Sequence, residues 1–189
     1  MSWSKLKQQL ESFLSPALQG KVEYRATSYR YSPDKAGSSY LTVDKKNVLN
    51  MNDKTSGIRW YQTEQEIKND PDIQIPVSLE EIEAIRVDTK GTVPEDRLIV
   101  IARGRKMSVL AKELLSAQSA LSKSNFVTAA NQFLSTSIED NMESSDILLN
   151  ILAIVDRRVG KKRILNMTET IKLKHPAVQY FYELRRSTL

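Results

Sequence analysis

The feature that most constrains the fold is a change of hydrophobic period at Lys21, from helical spacing to the alternation typical of a β-strand. From Val22 to Tyr29, successive side chains would face opposite sides of a strand. The later runs SYLTVD and VLNMN are also β-prone, and the segments YSPDKAGS and DKKN between these runs have loop and tight-turn compositions. We therefore expect a small antiparallel β-meander.

A sheet of two or three strands is only marginally stable in water, so one of its faces needs a covering helix. The nearest candidate is residues 3–14, where apolar side chains recur at helical spacings: Trp3, Leu6, Leu10, Phe13 and Leu14. Such a helix can also bind a membrane surface or a partner, but packing on its own core is the commoner use of an apolar stripe.

The sequence after residue 52 favours helices. Residues 57–68 combine β-prone and helix-prone segments, and we favour a short helix there. Residues 69–76 contain two prolines and no hydrophobic period, which is typical of a linker. The expected organisation is a helix-plus-sheet subdomain at residues 1–76 and a helical bundle at residues 77–189, with one continuous domain as the alternative.

Local start signals support the bundle. Ser78 and Glu81 have the spacing of a capping box, which predicts a helix to about Val87. Residues 95–103 could form a buried strand, but leucines continue in helical register to Leu121 and favour a helix. Further helices are expected at residues 125–135, 144–159, 161–171 and 176–186, with a break at Gly160 as a C-cap. The predicted fold class is α+β, with an N-terminal helix and small antiparallel β-meander followed by a C-terminal helical bundle.

Composition excludes several kinds of chemistry. The chain has no cysteine and a single histidine, His175, so thiol catalysis and metal sites built on cysteines or on two histidines are excluded. His175 precedes Pro176, a pair that most often starts a helix. The six glycines are isolated from one another, so no phosphate-binding glycine loop is present. We expect no cofactor and no metal, and only carboxylate pairs remain as candidate catalytic groups.

The charge distribution points to one basic segment. The net charge is +5, and residues 156–189 carry nine basic and three acidic side chains. The candidate nucleic-acid-binding residues are Arg157, Arg158, Lys161, Lys162 and Arg163. If a helix ended at Gly160, two of these cations would lie in its last turn, where they are favourable, and two would open the next helix, where they are not. That mismatch supports phosphate binding, but a solvated helix junction is the commoner use of such a segment.

The stretches SWSKLKQQLESFL, VEYRATSYRYSPDKAG and DILLNILAIVDRRVGKKRI resemble a family of bacterial intracellular proteins with no assigned activity. The resemblance extends over nearly the whole chain. It implies a bacterial, intracellular protein, and it supplies no cofactor and no catalytic residue.

The sequence favours a non-enzymatic protein-interaction or structural role in the cytoplasm, through a protein partner or through self-association. Sequence-tolerant nucleic-acid binding through the basic segment is the second hypothesis, and an enzyme that uses carboxylates is the third. The longest mostly apolar run, ILLNILAIV, is far shorter than the roughly 20 residues that span a bilayer, so no membrane association is expected.

Overall fold

The computed structural model describes residues 2–32, 35–117 and 120–189. These residues form two compact units. The main unit consists of residues 2–56 and 120–189, and the insertion consists of residues 57–117. The boundary expected near residue 76 lies inside the insertion, and the division into residues 1–76 and 77–189 stays a prediction.

The main unit begins with the predicted helix and meander. Helix α1 (Trp3–Phe13) is followed by strands β1 (Val22–Ser28), β2 (Gly37–Val43) and β3 (Lys46–Asn52), which pair antiparallel in the order β1-β2-β3. The β2–β3 turn places Asp44 and Lys45 at φ 48° and 65°, the left-handed values that tight hairpin turns need. The predicted α+β class is confirmed. In the predicted loop YSPDKAGS, residues 33 and 34 lie outside the described residues.

Helices complete the main unit: α5 (Lys123–Ser135), α6 (Ile138–Glu143), α7 (Ile147–Ile154), α8 (Lys161–Asn166) and α9 (Pro176–Arg186). Every residue of α7 is buried, as expected for a helix that is apolar on nearly all sides. Its one polar residue, Asn150, donates from Nδ2 to the carbonyls of Asn141 (3.0 Å) and Ser144 (2.8 Å). Helix α7 is therefore the centre around which α5, α6 and α9 pack.

The main hydrophobic core lies wholly within the main unit. Among the described residues, its buried members come from positions 6–51 and 121–182, and none comes from the insertion. The largest fully buried side chains in it are aromatic: Tyr24, Tyr182, Phe126, Phe133 and Phe181. This core gives the main unit a packed interior of its own.

The insertion contains most of α2 (Asp53–Asn69), together with α3 (Leu79–Asp88) and α4 (Glu95–Ala117). The predicted capping box is present, since Ser78 Oγ accepts from Glu81 N (3.2 Å) and Ser78 N donates to Glu81 Oε2 (2.7 Å). The helical interpretation of residues 95–103 is confirmed. The predicted helical register continued to Leu121, but residues 118 and 119 lie outside the described residues and Leu121 belongs to the main core.

The helix boundaries around Gly160 differ from the prediction. Helix α7 ends at Ile154, and Gly160 is the N-cap of α8, so the predicted C-cap at Gly160 is wrong. The chain leaves the helix because the Val155 carbonyl accepts from Ser15 N (2.9 Å) and Arg157 N donates to the Phe13 carbonyl (2.7 Å). These long-range bonds replace the helical ones, and neither is visible in a local sequence pattern.

Two further findings concern the ends of the chain's helices. Helix α8 stops at Asn166, and a 3₁₀ turn at Thr170–Leu173 takes the place of the end of the predicted 161–171 helix. Helix α9 has the predicted limits, and His175 Nδ1 accepts from Ala177 N at 3.1 Å as its N-cap.

In the part of the chain that the structure describes, no helix is both long and apolar enough to cross a membrane.

Candidate functional site

Arg158, one of the five candidate cations, is held within the main unit. Its Nε and Nη2 donate to Asp156 Oδ2 at 2.9 and 2.7 Å, and its backbone N donates to Asp156 Oδ1 at 2.7 Å. Asp156 is fully buried. The guanidinium carbon also lies 4.3 Å from the ring centroid of Phe13 and 5.5 Å from that of Phe133, which are cation–π distances. Arg158 is thus a packing element rather than a free cation.

Two more of the candidates have intramolecular partners. Arg163 Nη1 donates to Glu139 Oε1 at 2.7 Å, and this bond holds the pKa of Glu139 below its usual value. Lys161 Nζ donates to the Leu189 carbonyl at 3.2 Å. Three of the five cations therefore bind groups of their own chain.

Arg157 and Lys162 remain available to solvent. Both are exposed, and neither side chain makes an ion pair or hydrogen bond with the described residues. Arg157 lies in the turn after α7 rather than in the last turn of a helix, which corrects the expected placement of Arg157 and Arg158. The structure brings the five candidates into one helix junction, and their binding to nucleic acid stays a prediction.

A buried cation that the sequence did not single out lies near this junction. Arg185 of α9 is 7% exposed and donates from Nη2 to the Val159 carbonyl at 3.4 Å. Burial lowers the pKa of the Arg185 guanidinium, and the charge of Asp156 acts in the opposite direction. The signal in the sequence was weak, because Arg185 and Arg186 look alike at the end of an amphipathic helix. The junction therefore contains a buried acid, Asp156, which hydrogen-bonds Arg158 and acts on the charge of Arg185.

Many of the large hydrophobic side chains of the insertion are exposed. Across the described residues, fourteen large hydrophobic side chains are exposed, and nine of them belong to the insertion. These nine, which we call the apolar surface, are Ile58, Trp60, Tyr61, Leu79, Val87, Ile99, Val100, Val109 and Leu114. The insertion is about a third of the chain, so exposed apolar side chains are concentrated there about twofold.

The interior of the insertion is correspondingly small. Its hydrophobic cluster contains the buried residues Ile85, Leu98 and Ala102, with four half-buried residues packed against them. The sequence placed the leucines of α4 in helical register within a predicted bundle, and of these Leu114 is 38% exposed. Helical periodicity shows that a face is apolar and does not show whether the same chain covers it.

A groove of about 560 Å³ lies between α3, α4 and residues 74–76. Its walls are mainly apolar: Ile75, Pro76, Ala84, Ile85, Ala102, Val109 and Leu110. Two cations on its rim are already paired, since Lys106 Nζ lies 2.9 Å from Glu81 Oε1 and Arg105 Nη1 lies 2.9 Å from Asp88 Oδ2. The groove therefore extends the exposed apolar area of the insertion without offering a concentrated charge.

Candidate metal ligands are dispersed. Within residues 2–32, 35–117 and 120–189, no three histidine, aspartate or glutamate side chains lie close enough together to hold a metal ion.

Comparison with known proteins gives one match. No curated protein and no solved structure matches the chain. Residues 2–186 match the SF0329 protein family, so the chain belongs to that family.

Proposed function

We propose that this chain is a non-enzymatic intracellular protein that acts through protein contacts, with a protein partner or with a second copy of itself, and that the main unit is the scaffold and the insertion the contact region. The observation that carries the proposal is the apolar surface, which holds nine of the fourteen exposed large hydrophobic side chains of the described residues. Exposed hydrophobic side chains are costly to keep in water, and where they lie next to one another they usually mark a binding surface.

The composition of the apolar surface also supports this role. Trp60 and Tyr61 are 39% and 61% exposed, and aromatic residues are enriched in protein–protein interfaces. The main core takes none of its buried residues from the insertion, so the apolar surface is not needed to complete that core. Selection for folding alone gives no reason to retain it.

The two alternative functions have less support. Nucleic-acid binding would rely mainly on Arg157 and Lys162, because the other three candidate cations have partners in the chain. An enzyme based on carboxylates could not rely on a metal ion held by three acidic or histidine side chains, since the described residues contain no such group.

The proposal is tested by purifying the full chain from its cells of origin, as wild type and as Val100→Asp/Leu114→Asp. Both positions are exposed, so the variant should fold while its apolar contact is lost. We expect a discrete protein, either a different protein or an untagged copy of the chain, to co-purify with the tagged wild type and to be lost, by at least tenfold, from the variant.

A matched control is Leu173→Asp in the main unit, where the side chain is 90% exposed. This variant should retain the partner. Equal recovery of every associated protein by the wild type, the double variant and the control would contradict the proposal.

A further inference from the structure

One face of α4 carries side chains spaced alternately by three and four residues. These positions, which we call the α4 stripe, are Val100, Arg103, Met107, Leu110 and Leu114. This is the spacing of a and d positions in a heptad, so all five lie along one side of the helix. Val100 and Leu114 are exposed and Met107 and Leu110 are half-buried, which leaves most of the stripe open to a partner.

The stripe is distinct from the buried positions of α4. Among the α4 side chains whose burial the structure describes, Leu98, Ala102, Ala111 and Leu115 are buried, and none belongs to the stripe. At its first half, α4 packs on α3 through Leu98 and Ala102. An apolar heptad pattern outside the buried face of a helix is the pattern expected where a second helix binds.

Two charged side chains, one in the stripe and one next to it, have no partner in the described parts of the chain. Arg103 lies within the stripe and Glu113 precedes Leu114, and both are exposed. Neither side chain forms an ion pair or hydrogen bond with a described residue. Opposite charges ten residues apart on one helix cannot meet within that helix, but they can meet across two antiparallel copies of it.

We propose that the occupant of the α4 stripe is a second copy of this chain, with the two α4 helices antiparallel about a two-fold axis between positions 108 and 109. This inference rests on the interaction role proposed above. In this register Met107 faces Leu110 of the other copy, and Leu114 packs on the aliphatic stem of Arg103. Glu113 of each copy then lies beside Arg103 of the other, and the symmetry forms this contact twice.

Charge selects this arrangement over its neighbours. Parallel pairing in register would place Arg103 of one copy against Arg103 of the other. An antiparallel pairing in the neighbouring register, with Arg103 of one copy facing Met107 of the other, would place Lys106 of each copy opposite Lys106 of the other. Like charges in direct opposition disfavour both arrangements, whereas the proposed register opposes only unlike charges at these positions.

The test is the dissociation constant of the full chain, measured by sedimentation equilibrium over a range of concentrations. We expect a dimer in wild type and at least a tenfold weaker one in Val100→Asp/Leu114→Asp. Arg103→Glu and Glu113→Arg should each weaken the dimer about tenfold, because each reversal replaces two attractive contacts with repulsive ones. The double variant Arg103→Glu/Glu113→Arg should return to within about fivefold of wild type.

The matched control is Lys112→Glu, the same kind of charge reversal on an exposed position of α4 outside the stripe, which should leave the dimer unchanged. Circular dichroism of each variant verifies folding. A monomer at every concentration, or a double variant as weak as the single ones, would overturn the inference. A monomer that still co-purifies with a different protein would overturn the inference and leave the proposed function standing.

Discussion

At the scale of single residues, Asp156 is the clearest case of a side chain in the basic segment that has a structural role. It is fully buried, it accepts three hydrogen bonds from Arg158, and Leu14 pairs with it in an isolated β-bridge. A buried carboxylate is costly unless it is paired and hydrogen-bonded. The basic segment that suggested phosphate binding therefore begins with an acid whose role is structural.

We expect Asp156→Asn to destabilise the protein by about 2–3 kcal/mol, because it removes the charge that compensates Arg158 and leaves the guanidinium partly buried. The measurement is urea unfolding at neutral pH. Glu169→Gln is a suitable control, since its pair with Lys172 is mostly exposed and should change the free energy of unfolding by less than about 0.5 kcal/mol. Equal stability losses in the two variants would refute a structural role for Asp156.

At the scale of elements, the N-terminus of α3 carries a pH dependence. The Ser78 N–H and then Lys106 hold the pKa of Glu81 below its usual value of 4.5. A carboxyl group with a lower pKa in the folded state stabilises above its unfolded pKa, and this contribution is lost as the pH falls through the folded pKa. The capping box of α3 is therefore strongest at neutral pH.

Comparison of wild type with Glu81→Gln tests this dependence, since glutamine can still accept the Ser78 N–H but cannot be ionised. Wild type should be the more stable at neutral pH, and its advantage should shrink as the pH falls below 4.5 and through the lowered pKa. Unfolding at several pH values gives the difference. An advantage that stays constant on acidification would show that the charge of Glu81 contributes nothing.

The junction between α7 and α8 gives a prediction about nucleic acid. Only Arg157 and Lys162 of the basic segment lack partners in the described chain, and each phosphate contact contributes a logarithmic salt slope of about 0.9 or less. In titrations of labelled RNA and DNA at several salt concentrations, we expect wild type and Lys161→Glu/Lys162→Glu to give the same result, because the two substitutions should remove no nucleic-acid binding. Steeply salt-dependent binding that collapses in this variant would reinstate the nucleic-acid hypothesis.

Elements with local signals were predictable from the sequence, and those fixed by distant contacts were not. The period of β1, the Ser78 capping box and the His175-Pro176 start each depend on a few neighbouring residues. The end of α7 depends on the bonds that join Val155 to Ser15 and Arg157 to Phe13, and no window of sequence around Gly160 contains these two partners.

At the scale of the whole molecule, the main core and most of the exposed large hydrophobic side chains of the described residues belong to different units. The main core draws its buried residues from the two separated parts of the main unit, and composition alone does not show that these parts are one unit. The sequence indicated apolar faces along α4, but exposure at Val100 and Leu114 is a property of the three-dimensional structure. For this reason the candidate surface could not be assigned from the sequence, although an interaction role was expected.

The most direct test of the account is photo-crosslinking in living cells, with a photoreactive residue in place of Val100 or Leu114 in the insertion, or of Leu173 in the main unit. All three positions are exposed, so reactivity differs only with the presence of a bound protein. We expect discrete adducts at positions 100 and 114 and none at position 173. Absence of adducts at both insertion positions, or equal adducts at all three, would contradict it.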